Sequence, residues 1–318
     1  MSQASAYLEL GQCVMIDVDS GTGFPAVDVP AAAWDRLCAA IGSQLSIELD
    51  IELETLWFWF HPHPRPCFNP QVLEEILSVQ RQLVASRGRI LKDGEVVALR
   101  YVVAASHSPG VFNLGGDLSL FLECIDAQDM ARLARYACAC ADTILNHFNG
   151  YACHLNTISL VQGRALGGGF ECALASEVII AERQADFGFP EIKFNLFPGM
   201  GGFALATRKV DAACADTLIV EGAMHSASTM KDVGIVDVLC ENGMGVLAVK
   251  DFIGQARRDK RAQLVRYLRD VVKPLPEQQM QTSIDSWVHA AMGLREHDLK
   301  LIRRLMAAQD TLTAGNHM

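Results

Sequence analysis

Two glutamates, Glu171 and Glu191, stand twenty positions apart in the stretch "ALGGGFECALASEVIIAERQADFGFPE" (165–191). Their neighbours are mainly Gly, Ala, Phe and Pro with few cations, so surface ion pairs account poorly for them. Two carboxyl groups held in one apolar cleft cannot both ionise easily, and they tend to share a proton and to divide acid and base roles. If the fold brings the two together, the chemistry they offer is proton transfer.

Two glycine-rich segments add a second kind of group. Gly167, Gly168 and Gly169 separate a predicted strand from the small-residue helix "FECALAS", and the loop "SHSPGVFNLGGDLSLF" (106–121) also follows a strand. Bare backbone lets a ligand approach, and the first N–H groups of a helix are free to donate. Each run alone is consistent with a tight turn. Together, at one edge of a sheet, they would offer two N–H donors to a single carbonyl oxygen.

Several common kinds of functional site are excluded because the sequence lacks their motifs. "GRALGGG" is not GxGxxG, and the chain contains no GxxxxGK[ST], no GxSxG and no HExxH. The ten cysteines show no CxxC or CxxH spacing, so we interpret them as reduced and mostly buried thiols and expect no metal. Dinucleotide, P-loop, serine hydrolase and metal chemistry therefore lose support.

Net charge and hydropathy limit the classes of binding partner and the cellular location that we expect. The 27 Lys and Arg against 37 Asp and Glu give a net charge of −10, and the pI is about 5.4. No global positive field exists to attract nucleic acid or anionic lipid. The start of the chain lacks a basic segment followed by an apolar run, and no apolar stretch reaches about 18 residues. The expected location is cytoplasmic, with no nucleic-acid or membrane partner.

The elements that would position these groups alternate along the chain. Alternation of strands with helices indicates an α/β fold with right-handed crossovers, and the chain after Gly202 is predominantly helical. We predict strands within 45–60 and at 95–106, 156–163 and 177–182, and helices at 71–86 and 118–148. Residues 1–44 form a predicted N-terminal elaboration.

The segment "VQGRALGGGFECALASEVIIAERQADFGFPEIKFNLFPGMGG" resembles the crotonase (enoyl-CoA hydratase/isomerase) superfamily. "FNPQVLEEI" and "VFNLGGDL" resemble that family's first helix and oxyanion loop, so the likeness covers roughly residues 50–240. The resemblance implies a crotonase fold with a spiral core of repeated ββα units over 45–255. It also implies that the C-terminal helical segment, 256–318, completes the site and drives trimerisation.

The resemblance also implies the site residues. The family's acid/base pair falls on Glu171 and Glu191, and its oxyanion-hole N–H donors fall on Gly116 and Gly168, with Gly115 and Leu166 as alternatives one or two positions away. Donors aimed at a thioester carbonyl stabilise the enolate that forms when the α-proton leaves. No cofactor is expected, because the substrate is carried as a thioester on acyl carrier protein or CoA.

Beyond the superfamily, "RYVVAASHSPGVFNLGGDLSLFLECI" and "SIDSWVHAAMGLREHDLKLIRRLMAAQ" are similar to synthases of diffusible signal factors, the cis-2-enoic fatty acids of bacterial quorum sensing. This similarity implies a dehydratase that also hydrolyses the thioester of acyl carrier protein. It also implies a homotrimer or dimer of trimers, and association with a sensor histidine kinase receiver domain as in some members of that branch.

Other residues are candidates for the acyl tunnel, for carrier docking and for a covalent nucleophile. A tunnel for the acyl chain is expected along Phe187, Phe189, Trp287 and Met292, although ordinary core packing explains each equally well. The basic segment 256–270 contains a predicted carrier-docking patch of Arg257, Arg258, Lys260 and Arg261, with a solvated helix face as the alternative. Cys172 is a covalent alternative for hydrolysis, but its place on a helix beside Glu171 favours core packing.

Two other functions stay open. An ordinary enoyl-CoA hydratase would use the same glutamates on a CoA thioester and release no free acid. A catalytically idle crotonase-fold protein that binds a regulatory partner would need neither glutamate, and the retention of both argues against it.

Overall fold

The computed structural model describes residues 29–258, 268 and 272–315, with side chains described up to residue 310. Most of the predicted N-terminal elaboration, residues 1–44, therefore lies outside the described residues, and the predicted boundaries at 44 and 255 stay predictions. From Ala31 onward the chain forms one unit of tertiary contacts.

Strands and helices alternate through the first two thirds of the chain, and helices dominate after it, as the sequence predicts. The strands are β1 (Ala32–Ala33), β2 (Leu45–Asp50), β3 (Thr55–Phe60), β4 (Arg89–Lys92), β5 (Glu95–Ala98), β6 (Tyr101–Ser106), β7 (Val111–Asn113), β8 (Asn156–Val161), β9 (Arg164–Leu166), β10 (Val178–Glu182), β11 (Asp186–Gly188), β12 (Met224–Ser226) and β13 (Val238–Cys240). The helices are α1 (Trp34–Ala39), α2 (Pro70–Ala85), α3 (Leu118–Asp126), α4 (Met130–Phe148), α5 (Gly168–Ala175), α6 (Gly202–Lys209), α7 (Ala212–Glu221), α8 (Ala227–Asp232), α9 (Gly245–Ala256), α10 (Glu277–Met292) and α11 (Glu296–Gly315).

The larger sheet has six strands in the order β13-β10-β8-β6-β3-β2. All neighbours are parallel except the β2–β3 hairpin. β3 ("TLWFWF") and β6 ("YVVAAS") are buried along their whole length, because helices cover both faces of a parallel sheet. On one face Trp57 and Trp59 pack with Val249 and Ile253 of α9, and on the other lies the main core.

A smaller sheet has four strands in the order β12-β11-β9-β7. β7, β9 and β11 are parallel to one another, and β12 runs antiparallel to β11. The carboxyl ends of three neighbouring strands therefore meet at one edge, which is where parallel sheets place ligands. A third sheet, β1-β4-β5, lies apart from both.

Three predicted elements differ in the structure. The predicted strand at 156–163 corresponds to β8 alone, which ends at Val161, and β9 begins after Gly163 as a separate strand that was not predicted. A β-carbon on Gly163 would collide with the backbone of Gly110. The predicted strand at 95–106 becomes β5 and β6, which belong to different sheets. The helical segment 118–148 breaks after α3, because Gln128 has a positive φ of 53° and the Asp129 side chain caps α4.

The C-terminal helices pack as the sequence predicts. Ile284, Trp287, Val288 and Ala291 form the buried face of α10, which packs against α4. α11 contacts α3 and the short 3₁₀ helix Pro190–Phe194, so it reaches both sides of the edge described above. Along the described chain, none of these helices is long and apolar enough to cross a membrane.

Candidate active site

Three loops meet at the carboxyl edge of the smaller sheet. Gly115 and Gly116 follow β7, Gly167 and Gly168 follow β9, and Glu191 follows β11. Because β7, β9 and β11 are parallel neighbours, their loops emerge side by side. The first two loops touch: a β-carbon placed on Gly115 would lie 2.9 Å from the backbone nitrogen of Gly168. The structure therefore brings both predicted glycine loops together.

Gly168 presents a free backbone donor. Gly167 adopts φ 51°, which lets the chain turn sharply from β9 into α5 without a capping side chain. The first intrahelical bond is donated by the Glu171 N–H to the Gly167 carbonyl, at 2.9 Å. The Gly168 N–H precedes that bond and, within the described part of the chain, donates to no other atom. It is thus available to a bound acceptor.

In the first loop the two neighbouring glycines differ. The Gly115 N–H donates to Asn113 Oδ1 at 2.8 Å and is already engaged. The Gly116 N–H has no acceptor among the residues that the structure describes, and Gly116 lines the cleft. Leu166, the other alternative donor, lies inside β9 and pairs with Gly188. The geometry favours Gly116 and Gly168 over Gly115 and Leu166.

Glu171 lies on α5 and is only 1% exposed. Its Oε1 accepts a hydrogen bond from the Gly202 N–H at 2.7 Å, and the Met200 backbone also donates to the carboxylate. Burial raises the pKa of Glu171 well above 4.5, the charge of Glu191 raises it further, and the two backbone donors offset part of that rise. Burial thus favours the protonated form of this carboxyl.

Glu191 is the second residue of the 3₁₀ helix Pro190–Phe194. Although the residue as a whole is half-buried, its Oε2 is buried and has no hydrogen-bond partner among the described residues. Burial raises the pKa of Glu191 to about 7, with a smaller opposing effect from its own backbone N–H. A buried carboxyl oxygen without a partner is costly to fold, and such groups concentrate at functional sites.

Both glutamates and both free N–H groups line one cleft, whose open volume is about 610 Å³ with the solvent at its mouth included. Most of its wall is apolar, so a charge inside it is poorly solvated. Contributions come from elements far apart in sequence, including Phe121 of α3, Tyr136 and Cys140 of α4, Trp287 of α10, and Leu305 and Gln309 of α11. The C-terminal helices therefore form part of the site.

The predicted acyl-tunnel residues divide into two groups. Trp287 lines the cleft, with its ring 4.9 Å from that of Phe121. Phe187 and Phe189 do not, because both turn into the core against Phe170, at centroid distances of 5.3 and 4.7 Å. Met292 also lies off the cleft, as a half-buried side chain packed against the main core. The prediction of a tunnel along Phe187, Phe189 and Met292 is corrected accordingly.

Two further predicted groups lie outside the cleft. Cys172 is buried on α5, and burial raises the pKa of its thiol to about 12, so it is not a ready nucleophile. In the basic patch, Arg257 is paired with Glu54 at 3.1 Å and donates to the Glu52 carbonyl. Arg258 is exposed, and Lys260 and Arg261 lie outside the described residues. Docking of a carrier there stays a prediction.

Several groups that shape the cleft were not singled out in the sequence. Gly202 and Met200 belong to "PGMGG", a motif whose glycines signal a close approach of backbone, here to Glu171. Tyr136 and Gln309 carry no such signal, since each is one polar residue on an otherwise ordinary helix. Within the described ranges, no three His, Cys, Asp or Glu side chains lie close enough to hold a metal ion.

Comparison with known proteins places the chain in a family. The model of the enoyl-CoA hydratase/isomerase family matches residues 78–292. A probable enoyl-CoA hydratase of Mycobacterium bovis is 36% identical over 127 residues, which are 40% of this chain and 49% of that protein, so the match spans about half the relative's length.

Solved structures share the fold. The crystal structure of an enoyl-CoA hydratase from Bacillus halodurans superposes with a TM-score of 0.66 at 19% identity, over 83% of this chain and 100% of that one. Pseudomonas aeruginosa DspI gives a TM-score of 0.55 at 22% identity, over 78% of this chain and 91% of that one. At these identities the likeness concerns the fold, which is the crotonase fold predicted above. With more than half of its length matched by the family model, the chain belongs to the enoyl-CoA hydratase/isomerase family.

Proposed function

We propose that the protein dehydrates a 3-hydroxyacyl thioester to a 2-enoyl thioester, with Glu171 and Glu191 as the acid/base pair. The observation that carries the proposal is the Glu191 carboxyl, whose buried Oε2 has no partner among the described residues and lies in the same cleft as Glu171 and two free N–H donors. Such an oxygen can accept a proton from a bound substrate.

The reaction follows from that arrangement. The thioester carbonyl oxygen accepts hydrogen bonds from the N–H groups of Gly116 and Gly168, which stabilise the negative charge of the enolate. One carboxylate takes the α-proton, and the other carboxyl, protonated, gives its proton to the β-hydroxyl, which leaves as water. The pair ends with its proton moved from one carboxyl to the other. Because the two titrate as a coupled pair, we assign the roles to the pair.

We further propose that the substrate is carried on acyl carrier protein and that the enoyl thioester is then hydrolysed, which releases a cis-2-enoic acid as a diffusible signal factor. The similarity of 100–125 and 283–309 to signal synthases supports this finer assignment. In the second step a water, activated by one carboxylate, attacks the carbonyl carbon, and the carrier thiol leaves with a proton. The same oxyanion hole serves both steps, so no separate nucleophile is needed.

A homo-oligomer, as a trimer or dimer of trimers, belongs to the same proposal. The apolar side chains of Ile192, Val220 and Met224 are 41%, 66% and 44% exposed. Ile192 follows Glu191 and packs against Gly222, which lies between Val220 and Met224 in the sequence. Large exposed apolar side chains grouped in this way are typical of subunit interfaces. We also propose association with a sensor histidine kinase receiver domain, on the similarity of 100–125 and 283–309 to signal synthases.

The second candidate is an ordinary enoyl-CoA hydratase, which the printed description of the mycobacterial relative favours. The deciding experiment supplies matched 3-hydroxyacyl thioesters on acyl carrier protein and on CoA, and follows free 2-enoic acid by mass spectrometry against cis and trans standards. Free cis acid from the carrier-bound substrate, lost in Glu171→Ala and Glu191→Ala, supports signal synthesis. Hydration and dehydration on CoA without free acid indicates the hydratase, and no turnover of either indicates an idle scaffold.

A further inference from the structure

Tyr136 lies beside the proposed oxyanion hole without belonging to it. Its side chain comes from the middle of α4, is 6% exposed, and lines the cleft. Its hydroxyl donates to the Phe68 carbonyl at 2.6 Å and accepts from the Asp117 N–H at 2.8 Å, and the Cys140 thiol also lies within hydrogen-bonding reach. The hydroxyl thus joins two segments far apart in sequence, one of which begins directly after Gly116.

The segment that contains Phe68 is bonded in turn to Gly115. The Phe68 N–H donates to the Gly115 carbonyl at 2.8 Å. A trans peptide is planar, so its C=O and N–H point in opposite directions. The peptide that joins Gly115 to Gly116 therefore directs the Gly116 N–H away from Phe68. Since Gly116 itself lines the cleft, the bond to Phe68 fixes the plane of the proposed oxyanion donor.

The other side of Gly115 is fixed as well. Asn113 Oδ1 accepts the Gly115 N–H at 2.8 Å, which holds this glycine at φ 92°. Phe121, whose ring meets Tyr136 edge-on at 5.6 Å, packs against the bare α-carbon of Gly116, where a β-carbon would lie 2.5 Å from the ring. These contacts together restrict the plane of the peptide that carries the Gly116 N–H.

We propose that Tyr136 and Asn113 are positioning residues that clamp the loop from Asn113 to Asp117 and aim the Gly116 N–H at the substrate carbonyl. The inference rests on the proposed function, because it presumes that a thioester carbonyl binds at Gly116 and Gly168. A donor displaced by about 1 Å polarises the carbonyl less, and misplacement on that scale costs roughly 100-fold in rate.

The test measures carbonyl polarisation directly. Trans-2-decenoyl-pantetheine, which carries the arm common to CoA and acyl carrier protein, is isotope-labelled at its carbonyl carbon and bound to the full-length protein. Difference infrared spectroscopy then reports the shift of the carbonyl stretch to lower frequency. In Tyr136→Phe we expect at least half of the wild-type shift to be lost, and kcat to fall about 10- to 100-fold with KM nearly unchanged.

A matched control separates aiming from general loosening. Tyr151 is equally buried and its hydroxyl bonds to His147 Nδ1 at 2.7 Å, away from the loop. Tyr151→Phe should lower the melting temperature as Tyr136→Phe does, yet keep the wild-type carbonyl shift. Asn113→Ala removes the other anchor and should lose the shift independently, which covers the case in which Tyr136→Phe does not fold.

The outcomes are distinguishable. No shift in the wild-type protein would overturn the proposed oxyanion hole, and this inference with it. A wild-type shift retained in both Tyr136→Phe and Asn113→Ala would overturn the clamp alone and leave the proposed function standing. An equal loss in Tyr151→Phe would also overturn it, since the effect would then come from the core in general.

Discussion

The Glu191 carboxylate packs directly against the bare α-carbon of Gly167, the residue that turns the chain from β9 into α5. A β-carbon at that position would overlap Glu191 Oε1. The glycine that frees the Gly168 N–H therefore also makes room for one of the two carboxyl groups. One backbone position thus serves both the electrostatic and the proton-transfer halves of the proposed site.

Replacing Gly167 should reduce activity strongly while the protein still folds. Gly167→Ala is expected to lower kcat by about 100-fold or more, because it displaces Glu191 and strains the turn at φ 51°. Gly94→Ala is the matched control: its φ is 82°, and a β-carbon there would meet nothing within 4 Å. Both variants should lose about 1–2 kcal/mol of unfolding free energy in urea, because alanine is strained at positive φ, and Gly167→Ala should lose more, because its β-carbon also overlaps Glu191. Equal catalytic losses in the two would contradict the role given to Gly167.

Each of the two carboxyl groups should be essential for activity by itself. Glu171→Gln and Glu191→Gln are each expected to reduce dehydration by about 100- to 10,000-fold, the usual range for a lost acid or base. Glu182 provides the control, since it is also buried, at 2% exposure, and its Oε1 accepts the Gly245 N–H at 3.2 Å. Glu182→Gln should retain near wild-type turnover in the same steady-state assay. A glutamine variant at 171 or 191 with normal turnover would remove that residue from the mechanism.

Protonation of Glu191 should be visible in activity. Since burial raises its pKa to about 7, the acid limb of the kcat/KM profile is expected near that pH, well above the range of an ordinary carboxyl. Glu191→Gln should abolish the limb along with the activity. A profile that stays flat down to about pH 5 would show that no group of the pair titrates there.

The same pKa has a consequence for stability. The folded state binds the Glu191 proton more tightly than the unfolded state, so this residue costs nothing at low pH and destabilises the fold as pH rises from 4.5 to about 7. Glu191→Gln should therefore stabilise the protein by about 1–3 kcal/mol at about pH 8 and by little at about pH 4. Urea unfolding at the two pH values measures the difference. An unchanged gain across pH would contradict the burial of this charge.

The C-terminal helix should act on substrate binding through one ion pair. Arg65 Nε and Asp310 Oδ1 lie 2.5 Å apart, and Arg65 also donates to Ser119 Oγ at 2.6 Å, which ties α11 to α3, two helices that both contribute to the cleft wall. Asp310→Asn is expected to raise KM for a long acyl thioester about 3- to 10-fold with kcat nearly constant, and the difference should shrink at high salt. Glu123→Gln, which breaks the exposed Arg132 pair, is the control. A similar change in both variants would indicate a general charge effect.

The sequence allowed the meeting of the two glycine loops to be predicted better than the walls of the cleft. Both glycine loops follow strands, and parallel strands end at one edge, so the meeting of the two loops could be predicted from strand order. The assignment of Gly116, Gly168 and Glu171 to the site came from the family resemblance. The strands concerned are those of the smaller sheet, however. The prediction assigned the loops to the strands that end at Ser106 and Gly163, because β7 and β9 have only three residues each and show no clear alternation of their own.

Side-chain direction is where prediction from sequence failed. β11 has only three residues, too few for alternation to show which side chain faces the cleft, and both Phe187 and Phe189 are apolar. Their contact with Phe170 depends on the packing of α5, which lies earlier in the chain. In the same way Leu305 and Gln309 reach the cleft only through the tertiary placement of α11, which no local pattern encodes.

The strand order β7-β9-β11 also sets the distance between the backbone N–H donors that follow these strands. Neighbouring strands are about 4.8 Å apart, so donors that emerge from adjacent strands are separated by roughly that length. A single oxygen can lie about 2.9 Å from two such N–H groups at once, whereas donors two strands apart would be roughly 9.6 Å from each other and would each need their own acceptor. The recognition of one carbonyl is thus a property of strand adjacency.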